Sequence, residues 1–426
     1  MKHRTEAHGF HLSYHWIVAA VAFVMVFFHG GAANNLTGLH IIPITEHLNI
    51  SRSDFTLAWS SKSICEMFTT LFSGFLLAKF GYRKCVCFGL IGCSLSYFVM
   101  SAASSLIFPF LSGVLLGLCS TFCATAGASR LVSNWFCRYR GTVLGLVTSA
   151  SGLGGSVLCI VQTALIEAFS WKASLIAVSA LLLICAILVP LVVRNHPSEM
   201  GLAPLGDGEE VIGKRRKSLE KVKEGLPFSQ LLKTPSFYGM ALATFFSGFG
   251  LYMVFTVVVP HFREGCQFSA SSAGFIQSFM LLFLTATKLG AGFLSDLLGS
   301  RRVAVLCQIL SSLSLLMLIL ISSFPLAVVA ITLYTAALPM VTIMPPLIAL
   351  SLFGYRAQPQ YTGVFLALIS VSSFAGSYVS NLIFDLLGSY RPSFAVALLF
   401  SVLAILLYLF TFFLAKKEDE GKKASA

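Results

Sequence analysis

Charged residues are scarce in this sequence, and their scarcity indicates a membrane protein. Only 11% of the 426 residues are charged, while 57% are hydrophobic. In a soluble domain, charged residues make up about a quarter of the chain. The abundance of leucine, phenylalanine and valine also excludes a disordered chain.

Several motifs that carry chemistry are missing as well. The eleven cysteines include no C-x-x-C pair and almost all stand inside apolar runs, which excludes a secreted disulfide scaffold and argues against metal or redox chemistry. The chain has no G-x-x-x-x-G-K-[ST] segment for ATP. It also has no HExxH or GxSxG motif, so we predict neither an enzyme nor a cofactor or metal site.

Twelve apolar stretches match the length of a bilayer-spanning helix, which needs about 20 residues. They cover approximately residues 16–38, 55–78, 85–104, 107–130, 142–168, 172–193, 237–260, 271–294, 303–323, 325–352, 361–387 and 393–415. We therefore predict an all-α polytopic membrane protein made of two six-helix bundles. The predicted divisions are bundles at 1–193 and 236–415, a cytoplasmic central loop at 194–235 and a cytoplasmic tail at 416–426.

The net charge of +12 is placed unevenly along the chain. If both termini face the cytoplasm, the inner segments hold most basic residues, and the outer loops keep only Arg52, Lys172, Arg263 and Arg391. This bias follows the positive-inside rule and explains the charge without a nucleic-acid partner. We predict a multi-pass protein of the cytoplasmic membrane, with both termini in the cytoplasm, that functions as a monomer.

Two sequence matches relate the two halves. GFLLAKFGYRK at 74–84 matches GFLSDLLGSRR at 292–302, an offset of 218 residues. GTVLGLVTSASGLGG from Gly141 matches GVFLALISVSSFAGS from Gly363, an offset of 222 that pairs Ser151 with Ser373. Two matches at nearly one offset indicate duplication, and parallel repeats place a solute site at their interface near the bilayer midplane.

The first match contains a candidate conformational latch. Glycines allow a tight turn and close helix approach, and a carboxylate at a helix end can pair with arginines until the pair breaks. In the second half, the motif G-x-x-x-D-x-x-G-x-R-R comprises Gly292, Asp296, Gly299, Arg301 and Arg302. The first half retains Gly74, Gly81, Arg83 and Lys84, with Ala78 at the aspartate position. We expect that latch to be weaker or carried elsewhere in its half.

With this motif, the chain resembles the major facilitator superfamily over nearly its whole length. A closer resemblance is to the oxalate/formate antiporter and monocarboxylate transporter families. It rests on LHIIPITEHLNIS after the first span, NWFCRYRG followed by GLVTSASGLGG, and PSEMGLAPLGDG after the sixth span. The resemblance implies transport of a small organic anion by alternating access, as proton symport or anion exchange.

The closer resemblance gives weight to Lys288, eight residues before Asp296. There the resembled families place a cation that meets the substrate carboxylate. Some members add a lysine on helix eleven, but Ile369 stands at the matching position here. This difference argues against a dianion held between two cations of the second half.

Four ionisable side chains lie far inside the predicted spans, where each costs several kcal/mol unless it is paired or hydrated. Lys62 and Glu66 stand four residues apart on one helix face, Lys288 lies in the eighth span, and Arg130 lies in the fourth. We predict that Glu66 carries a proton and that Lys288, with Arg130 and Lys62, binds the anion. The alternatives are a structural ion pair between Lys62 and Glu66 and a Lys288 side chain that extends to the interface. For Arg130 the alternative is a structural role at the end of its helix.

Neutral polar residues complete the predicted site. Asn34 and Asn35 in the first span and Tyr252 in the seventh are assigned to the cavity because those two helices line it in the resembled superfamily. Three prolines between 339 and 346 interrupt the tenth span. Since freed backbone groups need protein or a watery cavity to satisfy them, we predict a bend beside the cavity, with a simple packing kink as the alternative.

Two other functions are compatible with twelve spans. An exporter of drugs or other amphipathic solutes would favour an acidic, aromatic cavity, whereas three intramembrane cations outnumber Glu66 here. A membrane-embedded enzyme would need clustered catalytic groups, which the sequence lacks. The sequence therefore predicts a small organic anion as substrate, protons or a counter-anion as coupling partner, and the lipid bilayer as surroundings.

Overall fold

The computed structural model describes residues 14–136, 140–205, 225–320, 323–354 and 356–425. Within these ranges the chain is mostly helical, and ten helices are long and apolar enough to cross a membrane. Two further crossings, helices 2 and 4, are each built from two shorter helices in succession. The predicted all-α fold with twelve crossings is confirmed.

The helix bounds follow the predicted spans closely. In the first half, helix 1 is Tyr14–Asn35 continued by Thr37–Leu48, helix 2 is Arg52–Trp59 and Ser61–Phe80, helix 3 is Tyr82–Ser101, helix 4 is Ile107–Cys123 and Thr125–Trp135, helix 5 is Arg140–Ala168, and helix 6 is Trp171–Val192. In the second half, helix 7 is Pro235–Phe255 continued by Val258–Pro260, helix 8 is Ala270–Leu298, helix 9 is Ser300–Leu320, helix 10 is Phe324–Ala337 and Met344–Phe353, helix 11 is Gln358–Leu387, and helix 12 is Arg391–Ser425.

Helices 1, 2, 4 and 10 are interrupted along their length. The interruptions fall at Leu36, Ser60 and Ala124 in the first three, and at the 3-10 turn Leu338–Val341 in helix 10. The break in helix 10 confirms the expectation from its prolines, because Pro339 lies in the 3-10 turn and Pro345 stands in the first turn of the resumed helix. The other three breaks contain no proline.

The chain between the two halves is described in part. Residues 206–224, which hold most of the run GKRRKSLEKVKEG, lie outside the described residues. The described flanks contain a 3-10 turn at Pro197–Met200 and a short helix at Phe228–Leu231. Helix 12 continues through the predicted tail to Ser425. The predicted domain boundaries stay predictions.

The two halves repeat the same close helix contact. Gly154 of helix 5 packs on the carbonyl oxygen of Phe27 in helix 1, and Gly376 of helix 11 packs on the carbonyl oxygen of Phe249 in helix 7. Corresponding residues of the two contacts differ by the 222 positions of the sequence match. The contact depends on small residues, which let two membrane helices approach closely. It supports the duplication at the level of packing.

This contact makes Gly154 intolerant of a side chain. We expect Gly154→Ala to destabilise the protein by about 1–3 kcal/mol or more, since overpacking a tight contact displaces backbone, and a Cβ there would overlap the oxygen of Phe27. Gly145→Ala is the matched control on helix 5, because a Cβ at Gly145 meets nothing within 4 Å. Thermal unfolding in detergent measures both. A Gly154→Ala protein as stable as Gly145→Ala would contradict this packing.

The bundle has two ends, which differ in the helix termini that they contain. The terminal face is the one at which helix 1 begins, at Tyr14, and helix 12 ends. The opposite face is the one at which helix 2 begins, at Arg52, and helix 12 begins, at Arg391. The described hydrogen bonds between the halves lie between the middle of the bundle and the opposite face. Thr285, near the middle of helix 8, donates to the carbonyl of Ser149 on helix 5. At the opposite face, the backbone N–H of Arg52 donates to Asp385.

Candidate functional site

A cavity of about 320 Å³ lies between the two halves. Helices 1, 2, 4 and 5 of the first half and helices 7, 8, 10 and 11 of the second half contribute to its wall. The helix interruptions border it, since Asn35, Ser60, Ala124 and Leu338 all line the cavity. Broken helices leave backbone groups without helical partners, and such groups are tolerated where they line a cavity.

The structure brings most of the predicted binding residues together here. The cavity is lined by Asn35, Lys62, Glu66, Tyr252 and Lys288. They are contributed by helices 1, 2, 7 and 8. Asn34 and Arg130 lie in helices 1 and 4, but their side chains are outside the described part of the structure. Ile369 also lines the cavity, at the position where the resembled families can have a lysine.

Lys62 is buried, and its charge is already engaged. Its Nζ donates a hydrogen bond of 2.8 Å to the carbonyl oxygen of Ala33, just before the break in helix 1. The same Nζ lies 4.0 Å from Oε2 of Glu66. The Lys62 side chain is 10% exposed and that of Glu66 is 28% exposed. Lys62 therefore ties helix 2 to helix 1, while the carboxylate remains the more accessible member of the pair.

Lys288 lines the cavity and forms no ion pair with a described residue. Its side chain is half-buried in the cavity wall on helix 8. Within the described ranges, no carboxylate or other hydrogen-bond acceptor contacts its Nζ. A charge in this position is costly unless water or an anion offsets it. Among the described residues, Lys288 therefore presents a positive charge without a counter-charge to a solute in the cavity.

Asn35 is engaged in holding helices together. Its Nδ2 donates to the carbonyl oxygens of Gly30 at 3.3 Å and Ser151 at 3.1 Å, and its backbone carbonyl oxygen accepts from Nε2 of Gln277 on helix 8 at 3.0 Å. Both amide hydrogens are thereby used, and these bonds join helices 1, 5 and 8. The asparagine positions the cavity wall rather than presenting a free donor to a solute.

Two serines line the cavity at positions that the site prediction missed. Ser151 of helix 5 and Ser373 of helix 11 both border it. They are also paired with each other in the sequence match between the halves. The repeat therefore carried the signal that could have found them, because equivalent positions of two symmetric halves face a shared interface.

Comparison with protein families decides the class of the molecule. The family model of the Major Facilitator Superfamily matches residues 21–269 and 240–426. The chain belongs to the Major Facilitator Superfamily. Members of this superfamily are membrane transporters, which agrees with the bundle and its central cavity.

Named relatives and solved structures agree with this membership. The chain is 25% identical over 332 residues to monocarboxylate transporter 12 of Rattus norvegicus, covering 71% of this chain and 66% of that protein. It is 24% identical over 308 residues to the uncharacterized MFS-type transporter YcxA of Bacillus subtilis, covering 71% and 70%. A bacterial homologue of the human lysosomal transporter Spinster, solved in an inward-facing, unoccupied conformation, shares the fold with a TM-score of 0.77, 14% identity and coverage of 95% and 98%. The match thus spans about two thirds of the curated relatives' length.

The superfamily motif joins helices 2 and 3, and again helices 8 and 9. Gly81 and Gly299 take the same place in the two turns, with φ of +77° and +85°, a region that favours glycine. In the second half, Nη2 of Arg301 donates to the carbonyl of Ser351 at 3.3 Å. Arg302 is exposed there, and the side chain of Asp296 lies outside the described residues.

In the first half, another residue contacts the turn of the motif. Asn195, just after helix 6, accepts a 2.9 Å hydrogen bond from the backbone N–H of Arg83 through its side-chain oxygen. The amide of Asn195 also lies against Gly81. Lys84 is exposed, and the side-chain surroundings of Gly74 and Ala78 are outside the described part. The post-helix-6 segment thus holds the turn that lacks the usual aspartate.

Proposed function

We propose that this transporter moves a small organic anion of the monocarboxylate type by alternating access, as proton symport or anion exchange. The observation that carries the proposal is Lys288, whose ammonium group borders the inter-half cavity without a described acceptor. An ammonium attracts a carboxylate as a point charge, without the geometric demands of an arginine fork. The relative named as a monocarboxylate transporter supports this substrate class.

Charge in the cavity favours a substrate with a single negative charge. Lys62 is engaged with Glu66 and Ala33, so Lys288 supplies the unmatched charge. Apolar side chains, among them Val26, Leu284 and Ile369, line other parts of the wall. A monoanion with an apolar body matches this surface, because each part of the solute then meets a group of its own kind.

We assign proton coupling to Glu66. Its carboxylate borders the cavity and lies 4.0 Å from Lys62, so protonation would remove the partner charge of that lysine. A carboxyl at this depth can accept a proton from one face and release it at the other as access alternates. Arg130 and Asn34 stay in the proposal as further binding residues, on the sequence argument alone.

The proposed orientation places the terminal face in the cytoplasm of the cell. Arg83 and Lys84 follow helix 2 there, and Arg301 and Arg302 follow helix 8. Basic residues in short loops favour the inner side of the membrane. The opposite face, with Arg52 and Arg391, would then face outward.

Uptake into proteoliposomes tests the proposal. The panel comprises labelled formate, lactate, pyruvate, oxalate and larger aromatic or sulfonated acids, each with and without an inward proton gradient. We expect one or more monoanions to be taken up and oxalate to be taken up poorly, because Ile369 supplies no second cation. Gradient stimulation identifies symport, and uptake that requires internal anion identifies exchange. Silence toward every anion, with export of amphipathic cations by the same folded protein, would favour the exporter.

A further inference from the structure

Three aromatic side chains line the cavity, and neither anion binding by Lys288 nor proton coupling by Glu66 accounts for their rings. Trp59 ends the first segment of helix 2, directly before the break in that helix. Tyr252 and Phe255 lie in the last turn of helix 7. The first half of the molecule therefore contributes an indole to the cavity wall, and the second half contributes a phenol and a phenyl ring.

These three rings are not consumed by packing inside the protein. All three side chains are half-buried, so part of each ring surface remains accessible. Tyr252 and Phe255 pack edge to face with their centroids 6.0 Å apart, which orients the two rings relative to each other. The hydroxyl of Tyr252 faces Ser373 and leaves the ring to contact a solute. Apolar ring surface in contact with water is unfavourable, and a solute with an apolar body would cover it.

The size of the cavity indicates a solute larger than a carboxylate alone. Its volume is about 320 Å³, whereas an apolar cavity of about 150 Å³ holds a benzene ring. The space therefore accommodates a ring, a carboxylate and some water. A solute the size of acetate would leave the rings of Trp59, Tyr252 and Phe255 uncovered.

Charge decides between an aromatic anion and an aromatic cation. Aromatic rings attract cations through their faces, so the rings alone would suit an amphipathic cation. The carboxylate of Glu66, however, lies 4.0 Å from Nζ of Lys62. Lys288 has no counter-charge among the described residues, and Ile369 supplies no second cation. The charges of the described lining therefore favour a solute with one negative charge.

We infer that Trp59, Tyr252 and Phe255 form an aromatic subsite, and that the transported solute is a monocarboxylate that bears an aryl group. The carboxylate meets Lys288, and the aryl ring lies against the aromatic subsite. Pairs of aromatic rings gain affinity beyond the area that they bury, because the negative face of one ring attracts the positive edge of another. This inference rests on the proposed function and narrows its substrate class.

A matched set of acids tests the aromatic subsite. Phenylacetate and cyclohexylacetate carry the same charge on bodies of similar size, but only phenylacetate has a π system. Calorimetry on the full chain in detergent measures their affinities. We expect phenylacetate to bind about 2- to 12-fold more tightly than cyclohexylacetate. Acetate, which lacks the ring, should bind about 10- to 150-fold more weakly than phenylacetate, as expected for the loss of a buried aromatic group.

Variants of the subsite show whether these rings cause the preference. Trp59→Leu and Phe255→Leu each remove a π system and keep an apolar side chain, so the affinity ratio of phenylacetate to cyclohexylacetate should fall toward one while acetate binds as before. Tyr252→Phe keeps its ring and should keep the ratio. Phe275→Leu is the matched control, because Phe275 is an exposed ring of helix 8 outside the cavity lining. If Trp59→Leu fails to fold, Phe255→Leu carries the test.

The outcomes separate the aromatic subsite from the proposed anion site. Equal affinities for phenylacetate and cyclohexylacetate in the unmodified protein overturn the inference, as does an unchanged ratio in both folded leucine variants. Binding of acetate that requires Lys288, without preference for a ring, would reject the subsite and leave the proposed function standing. Binding of benzylammonium but of no carboxylate would reject the anion and with it the aryl monocarboxylate. Absence of binding by all three acids and benzylammonium overturns both.

Discussion

Replacement of Lys288 with alanine is expected to weaken anion binding and transport strongly while the protein still folds. The ammonium borders the cavity and has no acceptor among the described residues, so no internal ion pair is lost with it. A hydrogen bond to a charged group is worth about 1.5–3 kcal/mol, which corresponds to a roughly 10- to 150-fold loss of affinity. Calorimetric binding of the transported acid and its initial uptake rate measure the two effects.

Two variants control this experiment. Lys288→Arg keeps the positive charge and should retain part of the binding, although its planar fork fits a carboxylate differently. Lys172→Ala removes a cation that lies over Trp171 and is not among the cavity-lining residues, and it should transport normally. Uptake by folded Lys288→Ala at the unmodified rate would refute the anion-binding role of Lys288.

The fold was predictable because each crossing has its own local signal. Ten of the predicted apolar stretches correspond to helices that are long and apolar enough in the structure to cross a membrane. The repeat identified the pairs of positions that pack alike, and Gly154 with Gly376 confirms this at the level of backbone contact. Helices 1 and 12 differ most from their predictions, since helix 12 continues to Ser425 and helix 1 resumes at Thr37 and continues to Leu48. The extension of helix 1 was not predicted because polar residues such as His40 and Thr45 interrupt the apolar pattern there, although both are buried inside the bundle.

Part of the cavity lining was predictable for a different reason. A charge such as Lys62 or Lys288 is too costly to face lipid, so it must face a cavity or a partner. The breaks at Ser60 and Ala124 were not predictable, because neither break contains a proline that would mark it in the sequence. Ser151 and Ser373 were not predicted as cavity-lining residues, because a serine in a membrane helix usually forms a hydrogen bond within its own helix or to a neighbouring one.

The contacts of Arg52 with the second half could not be found from local sequence at all. Arg52 is bonded to Glu264, Asp385 and Tyr390, which are 212, 333 and 338 residues away. Glu264 and Tyr390 lie in connecting regions and Asp385 lies in the last turn of helix 11. From the sequence, Arg52 stood out only as one of few basic residues in the outer loops. Only the packing of helix 2 on helix 11 brings these groups together.

Replacement of Glu66 with glutamine is expected to uncouple transport from the proton gradient. Glutamine keeps the shape of the side chain but cannot release a proton, so the variant should exchange anions yet lose accumulation driven by an inward gradient. Lys62 keeps its hydrogen bond to Ala33 in this variant, which preserves the tie between helices 1 and 2. Uptake with and without a gradient, and exchange between equal pH values, measure the two activities in one preparation of proteoliposomes.

Asp54→Asn provides the matched control for this change. Asp54 is an exposed carboxylate in the first turn of helix 2, outside the cavity lining, so its amide variant should keep gradient-driven accumulation. Loss of both exchange and accumulation in folded Glu66→Gln would show that the carboxylate shapes the site rather than carrying the proton. Full accumulation in Glu66→Gln would move coupling to another group, and the partner charge of Lys62 would then have a structural role alone.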